Sequence, residues 1–498
     1  MPDEIITLKE VLRSLNFGQR IAEEERDLLA TYFVETDQWR RMYGGHVDVV
    51  YGAKGSGKSA LYFLLLDKSD ELRGSGVHLI TAENPRGATV FRDLATEPPA
   101  AEQEFVNLWK LYFLSLVGRH LNGAGASDAD GIRLIEKLRE AGLLEGPGGL
   151  KGLLRTVRDY VSQFSGIQGA LAFDPSTSSP SLTGRVLFEN PSQSERSAGA
   201  LSVDELFEAA EASLARVPTT IWILLDRLDV AFAETPDLEQ NALRALFKAY
   251  LDLQDLPHIK LKIFLRTDIW RRLTRSGFRE ASHITRTVTI KWDRSSLLNL
   301  IVRRSLQNKE LNRFYDLDEG SVASTEDQEA LFYGMFPEQV DSGPNKPATL
   351  DWLLSRTQDG TRQPAPRELI HLLNSIRDIQ YRKLELGEQE PPARQLFARV
   401  SLKEALPEVS RVRLEQTLYA EYPGFRDYCE KLRSAKTQQS PETLSTLWAT
   451  DPDTAVALAR QLVEVGFFEE RGSRDRPEFW VPFLYRDALE MVQGTATE

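Results

Sequence analysis

The eight residues Gly52-Ala53-Lys54-Gly55-Ser56-Gly57-Lys58-Ser59 fit G-x-x-x-x-G-K-[ST], a phosphate-cradling loop. The pattern carries meaning only between a strand and a helix, and both flank it. Val47-Asp48-Val49-Val50-Tyr51 is β-branched and reads as a buried strand, and Ala60-Leu61-Tyr62-Phe63-Leu64-Leu65-Leu66 reads as the following helix. Gly52, Gly55 and Gly57 let the backbone turn tightly, so that successive N–H groups point inward at an anion. The helix N-terminus adds its partial positive charge at the same spot. In such a loop Lys58 reaches the β- and γ-phosphates and Ser59 places its hydroxyl on Mg²⁺. The expected ligand of Gly52 to Ser59 is therefore ATP with Mg²⁺.

A chain of 498 residues suggests about three domains. No apolar run is long enough to span a bilayer, and Met1-Pro2-Asp3-Glu4 lacks the basic and apolar regions of a signal peptide. The one cysteine, Cys429, excludes an internal disulfide framework and fits a reducing cytoplasm; one cysteine with scattered histidines offers no zinc-ligand spacing. The net charge of −13 means that nucleic acid could be held only through a local basic patch.

Five strand candidates alternate with helices: 47–51, 77–84, 221–226, 261–266 and 287–292. Their order predicts an α/β fold, a doubly wound, mostly parallel five-stranded sheet. Residues 1–45 precede it as an N-terminal helical segment, in which Phe17, Phe33 or Trp39 either faces an adenine or packs in the core. The ATPase core spans 46–294. Within it, residues 122–200 read as an insertion, and the Ser/Pro/Thr-rich part from 174 to 199 reads as mobile. Ser202-Val203-Asp204-Glu205 opens a helix with a capping-box pattern. Residues 295–388 read as a helical lid. Residues 389–498 end in a helix over 454–465, a strand at 467–471, a turn and a return strand at 478–482, the layout of a winged helix.

Asp226 closes the apolar strand Ile221-Trp222-Ile223-Leu224-Leu225, where a Walker B acid belongs and would hold Mg²⁺. Many ATPases of this broad group place a second acid directly afterwards to polarise the attacking water. Here that position is Arg227. Asp229 either supplies the second carboxylate or caps a turn. Arg266-Thr267-Asp268 ends the next strand: Thr267 or Asp268 could hold the attacking water, and Arg266 could read phosphate charge. Arg367, in the first turn of a lid helix, opposes that helix's dipole and so points to a phosphate or to a surface role. Six arginines from Arg266 to Arg286 face only Asp268 and Glu280. An arginine finger acting in a neighbour's site, a nucleic-acid surface and a solvated face paired with acids all fit them. Residues 390–498 carry 14 Lys+Arg against 18 Asp+Glu, and the helix over 454–465 has Arg460 as its one basic residue. That composition favours protein contact over a DNA groove.

Taken together, Gly52–Ser59, Asp226, Arg266–Asp268, Pro366-Arg367 and the winged-helix layout resemble the AAA+-like and STAND/KAP-like branch of ASCE P-loop ATPases. Leu225-Asp226-Arg227-Leu228-Asp229 is similar to the KAP-type Walker B run, with Arg227 in place of its second acid. The resemblance implies a bacterial switch-like ATPase of stress or phage-defence operons, oligomeric, with a protein partner or effector and no membrane. It names Arg266 with Thr267 and Asp268 as sensor 1 and Arg367 as sensor 2. A DNA-dependent ATPase using the winged helix, and a nucleotide-holding module with little hydrolysis, are the alternatives. No acceptor-substrate site points to kinase chemistry.

Overall fold

The computed structural model describes residues 6–20, 24–25, 29, 35–83, 91, 101–144, 149–165, 186–197, 199–228, 236–473 and 475–496. The principal elements begin with α1 (Leu8–Ser14), α2 (Asp37–Tyr43), β1 (Val49–Gly52), α3 (Lys58–Asp67) and β2 (Val77–Thr81). Next come α4 (Glu102–Gly123), α5 (Ala129–Glu140), α6 (Gly149–Ser165), β3 (Val186–Leu187), β4 (Leu201–Ser202) and α7 (Val203–Arg216). The sheet is completed by β5 (Thr220–Leu225), α8 (Pro236–Leu253), β6 (Ile259–Arg266), α9 (Thr267–Arg275) and β7 (Thr287–Thr289). Helices α10 (Arg294–Leu306), α11 (Thr325–Met335), α12 (Thr349–Thr357), α13 (Pro366–Glu385) and α14 (Arg399–Arg413) follow. The chain closes with β8 (Lys436–Gln439), α15 (Pro441–Trp448), α16 (Pro452–Glu464), β9 (Glu469–Ser473), β10 (Arg476–Trp480) and β11 (Val492–Thr495).

Two compact units result. One comprises Gln38–Gly52 and Leu61–Thr289; the other comprises Met1–Asp37, Ala53–Ala60 and Ile290–Glu498. The first is built on a five-stranded sheet in the order β2-β5-β6-β1-β7, and every pairing in it is parallel. One strand, β6, lies between the strand that enters the glycine-rich loop and the strand that precedes Asp226. The chain thus has the expected α/β fold, a doubly wound, parallel five-stranded sheet entered through the glycine-rich loop.

Parallel strands bury both faces, which is why they read as continuous apolar runs instead of alternating ones. All four residues of β1 are buried, as are Ile221 to Leu225 of β5. Lys262 in β6 is the exception in sequence, and the fold supplies its partners. Its ammonium donates to Val47 O at 2.6 Å and pairs with Asp48 at 2.8 Å, and Arg286 Nε reaches the other Asp48 oxygen at 2.7 Å. Burial pulls the Lys262 ammonium below its ordinary range, and the Asp48 carboxylate opposes that shift.

Helix α4 anchors the same core: Trp109 Nε1 donates to Ala242 O at 2.9 Å and the Tyr112 hydroxyl to Ala82 O at 2.8 Å. Amphipathic α5 and α6 bring Leu134, Leu138, Leu153 and Val157 into the core of the sheet, so the first part of the 122–200 stretch packs with the strands. Residues 166–185, with most of the Ser/Pro/Thr-rich run, lie outside the described residues. Val186-Leu187 pairs with Leu201-Ser202, and Ser202 caps α7 in a complete capping box with Glu205.

The second unit has a core of its own, which runs from Leu8 in α1 through the lid helices to Leu489. Its C-terminal part orders helix α14, strand β8, helices α15 and α16 and the β9–β10 hairpin, with a four-stranded sheet in the order β11-β8-β10-β9. This is a winged helix, and it shares one apolar core with the lid. Asp451 caps α16 and Pro452 occupies its first turn, which sets the helix start two residues before the 454 expected from periodicity. Gly466, at φ 79°, follows α16.

Candidate functional site

The left-handed backbone that the loop motif needs is taken by Gly55 (φ 79°) and Gly57 (φ 99°). Gly52, expected to share this role, is instead the last residue of β1, paired with Arg266 in the ladder. Strand pairing holds it extended, so the turn is made by the two later glycines. Within the loop the Ser56 N–H donates to Ala53 O at 3.2 Å, and Lys58 Nζ donates to Ala53 O at 3.0 Å. Lys58 and Ser59 open the ten-residue α3, whose first turn carries no acid to compete with an anion. A side chain added at Gly57 would meet nothing within 4 Å, whereas one at Gly55 would sit 3.0 Å from Arg367 Cβ.

Arg367 therefore lies with its stem against the loop, at the start of α13 behind Pro366. Its neighbour Glu368 is buried and accepts from Arg413 Nη1 at 2.8 Å. Arg413 also donates to Asp359 at 3.1 Å and to the Tyr485 hydroxyl at 3.3 Å. Two further groups fix the loop. Trp292 Nε1 donates to Ser56 O at 2.8 Å, and Lys54 forms an ion pair with Glu421. Glu421 ends a helix that continues α14 through the π-helical turn Leu414–Tyr419. Neither contact was legible in sequence, because both depend on residues more than 200 positions away.

In the sheet unit, the chain leaves β1, β5 and β6 at the carboxyl edge, where open parallel sheets bind ligands. Asp226, one residue beyond β5, is buried. Arg227 follows with a left-handed φ of 58°, unusual for a residue with a long side chain. Asp229 lies outside the described residues. Past β6, Arg266 and Asp268 grip each other twice, Nε to Oδ1 at 3.1 Å and Nη2 to Oδ2 at 2.9 Å. Burial pushes the Asp268 carboxyl up, but the Arg266 charge and its hydrogen bonds outweigh that and hold it below the ordinary value. Between them, Thr267 Oγ1 is buried with no hydrogen-bond partner among the described residues. A buried hydroxyl left this way is costly unless something else satisfies it.

One further buried acid stands at this edge. Glu83, two residues past β2, is 1% exposed. Sequence reading takes 77–84 as one strand and so passes over it. The available signal was a carboxylate closing an otherwise apolar run.

The arginine cluster divides. Arg266 is held by Asp268, Arg272 by Glu239 and Arg286 by Asp48, while Arg271, Arg275 and Arg279 are exposed. In the winged helix, Arg460 pairs with Glu470 at 3.0 Å and Arg471 with Glu469, and the Arg471 guanidinium lies 4.3 Å from the Trp480 ring centroid. Phe17 is fully buried in the lid core near Phe397, and buried Trp39 stacks on Tyr43 at 5.3 Å, so both serve as core. Phe33 lies outside the described residues.

Among the described residues no three His, Cys, Asp or Glu side chains form a metal cage, and no helix is long and apolar enough to cross a membrane. Mg²⁺ needs no cage: it is ordinarily bound by one or two protein oxygens with substrate phosphates and water.

No protein-family model matches the sequence, and no curated protein matches it. Among solved structures, the chain is similar to the Aeropyrum pernix ORC1 protein in complex with DNA, at 13% identity over 98% of this chain and 93% of that one, with a TM-score of 0.35. The Aeropyrum pernix ORC2 protein (ADPNP-ADP complexes) is 11% identical, over 96% and 97%, with a TM-score of 0.30. Cdc6p from Pyrobaculum aerophilum is 12% identical, over 98% and 97%, with a TM-score of 0.27. Likenesses this distant carry no inference about activity.

Proposed function

We propose that the chain is an ATP- and Mg²⁺-binding switch ATPase, oligomeric, acting on a protein partner or effector in the cytoplasm. The observation that carries this reading is the loop itself: Gly55 and Gly57 turn the backbone left-handed between a buried strand and the first turn of α3. Lys58 and the loop amides hold the phosphates, and Ser59 and Asp226 hold the metal. The bound Mg²⁺ supplies charge neutralisation for the transferring phosphoryl group. The unsatisfied Thr267 hydroxyl supports a role for the end of β6 in holding the γ-phosphate or the water. Arg367, with its stem on Gly55, supports the sensor 2 role expected of it. Asp229 and Asp268 remain candidates for positioning water; the double grip of Arg266 makes Asp268 the weaker base.

A second reading has its own observation. Arg227 stands where a second acid is usual, and its left-handed backbone sets it in a turn directly after Asp226. A module that holds nucleotide with little turnover fits that feature. Groove-reading of DNA is disfavoured by the pairing of Arg460 and Arg471 with Glu470 and Glu469. Mass in solution and phosphate release, with and without ATP and Mg²⁺, for wild type and Asp226→Asn, separate the readings. ATP-dependent assembly with phosphate release lost in Asp226→Asn supports the switch. ATP bound without assembly or phosphate release supports the holding module.

A further inference from the structure

We propose that Glu83 is the general base of the reaction, the carboxylate that takes the place left by Arg227. This inference rests on the ATPase reading above and names a residue that reading leaves unassigned.

Three observations place Glu83. The first is register. Strands β2 and β5 are adjacent and parallel, with Thr81 paired to Leu224. The pairing continues past the end of β2, where the Ala82 N–H donates to Leu224 O at 3.0 Å. Glu83 is two residues beyond Thr81, and Asp226 is two residues beyond Leu224. The two residues thus follow equivalent positions of neighbouring strands, whose backbones lie about 5 Å apart. The second is burial: Glu83 is 1% exposed and Asp226 6% exposed. The third is anchorage. Tyr112 of α4 donates its hydroxyl to Ala82 O at 2.8 Å, which fixes the backbone immediately before Glu83.

The alternatives at this edge are weaker in physical terms. Asp226 is committed to the metal in the ATPase reading. Asp268 is gripped by Arg266 through two hydrogen bonds and held below its ordinary value, which lowers its basicity. Arg227 cannot accept a proton. Glu83 is the remaining carboxylate among the described residues at the ends of β2, β5 and β6.

In the step that follows, Glu83 accepts a proton from water as the water oxygen bonds to the γ-phosphorus. The bond from that phosphorus to the β–γ bridging oxygen breaks, and the electron pair leaves with ADP. Inorganic phosphate is the second product, and the proton on Glu83 passes to solvent. No oxidant, reductant or further reactant is required.

The test compares wild type, Glu83→Gln and Glu83→Asp in ATP binding, phosphate release and thermal unfolding. Glu83→Gln is expected to bind ATP with Mg²⁺ as wild type does and to release phosphate about 100-fold more slowly or worse, the usual worth of a positioned general base. It should also lose the acidic limb of the kcat–pH profile. Glu83→Asp, with its carboxylate drawn back, should keep that limb at a reduced rate, an outcome that a structural role would not produce. If Glu83→Gln hydrolyses as fast as wild type, or Glu83→Asp loses the acidic limb, the inference is wrong while the ATPase reading stands. A wild type that binds ATP but releases no phosphate overturns the inference and leaves nucleotide holding. A wild type that binds no ATP overturns both. If Glu83→Gln fails to fold, the pH profile of Glu83→Asp against wild type decides.

Discussion

The carboxyl edge of the sheet and the winged helix are both rich in charged residues, yet they use them differently. In the second unit, charge is paired within the protein. Arg413 joins Glu368, Asp359 and Tyr485 in a buried network, and Arg460 and Arg471 are matched by Glu470 and Glu469 on their own module. At the sheet edge, Asp226 and Glu83 are buried on neighbouring strands and the Thr267 hydroxyl has no hydrogen-bond partner among the described residues. A buried hydroxyl with no such partner is costly unless a ligand or water satisfies it.

Three variants test that contrast, in order of expected effect. Arg413→Met removes one side of the buried network and leaves Glu368 and Asp359 without their cation. Its unfolding free energy in urea should fall by about 3–5 kcal/mol. A loss under about 1 kcal/mol would show that the network does not hold the fold. Thr267→Val deletes a hydroxyl that bonds nothing among the described residues. Its urea midpoint should stay at or above that of wild type, while phosphate release slows roughly 10–100-fold. A large stability loss with unchanged turnover would make Thr267 a structural residue and erase the contrast. Arg471→Ala, together with Arg460→Ala, should change any affinity for duplex DNA less than about threefold, since both guanidiniums are already matched by carboxylates. A steep, salt-dependent loss would place the wing on DNA after all.

How far the sequence could be read follows from the same physics. Strands β1 and β5 were legible because strands buried on both faces are continuous apolar runs, and the loop because its glycines and lysine have fixed spacing. The capping box at Ser202 is local and was equally plain. What sequence could not show is set by long-range pairing. The end of β2 at Thr81, and so the position of Glu83 beside Asp226, depends on the register with β5. The pairing of Arg471 with Glu469 and of Arg460 with Glu470 depends on where the β9–β10 hairpin packs on α16. Gly52 looked like a turn residue because the motif begins with it, whereas the ladder to Arg266 keeps it in the strand.

The central claim is that Gly52 to Ser59 bind ATP through Lys58. Calorimetric titration of ATP with Mg²⁺ into wild type and Lys58→Ala, with circular dichroism to confirm that both are folded, tests it most directly. The account predicts saturable binding by wild type and a loss of about 100-fold or more in the folded variant, as expected when a phosphate loses its paired cation. Equal affinity in the two proteins would contradict it.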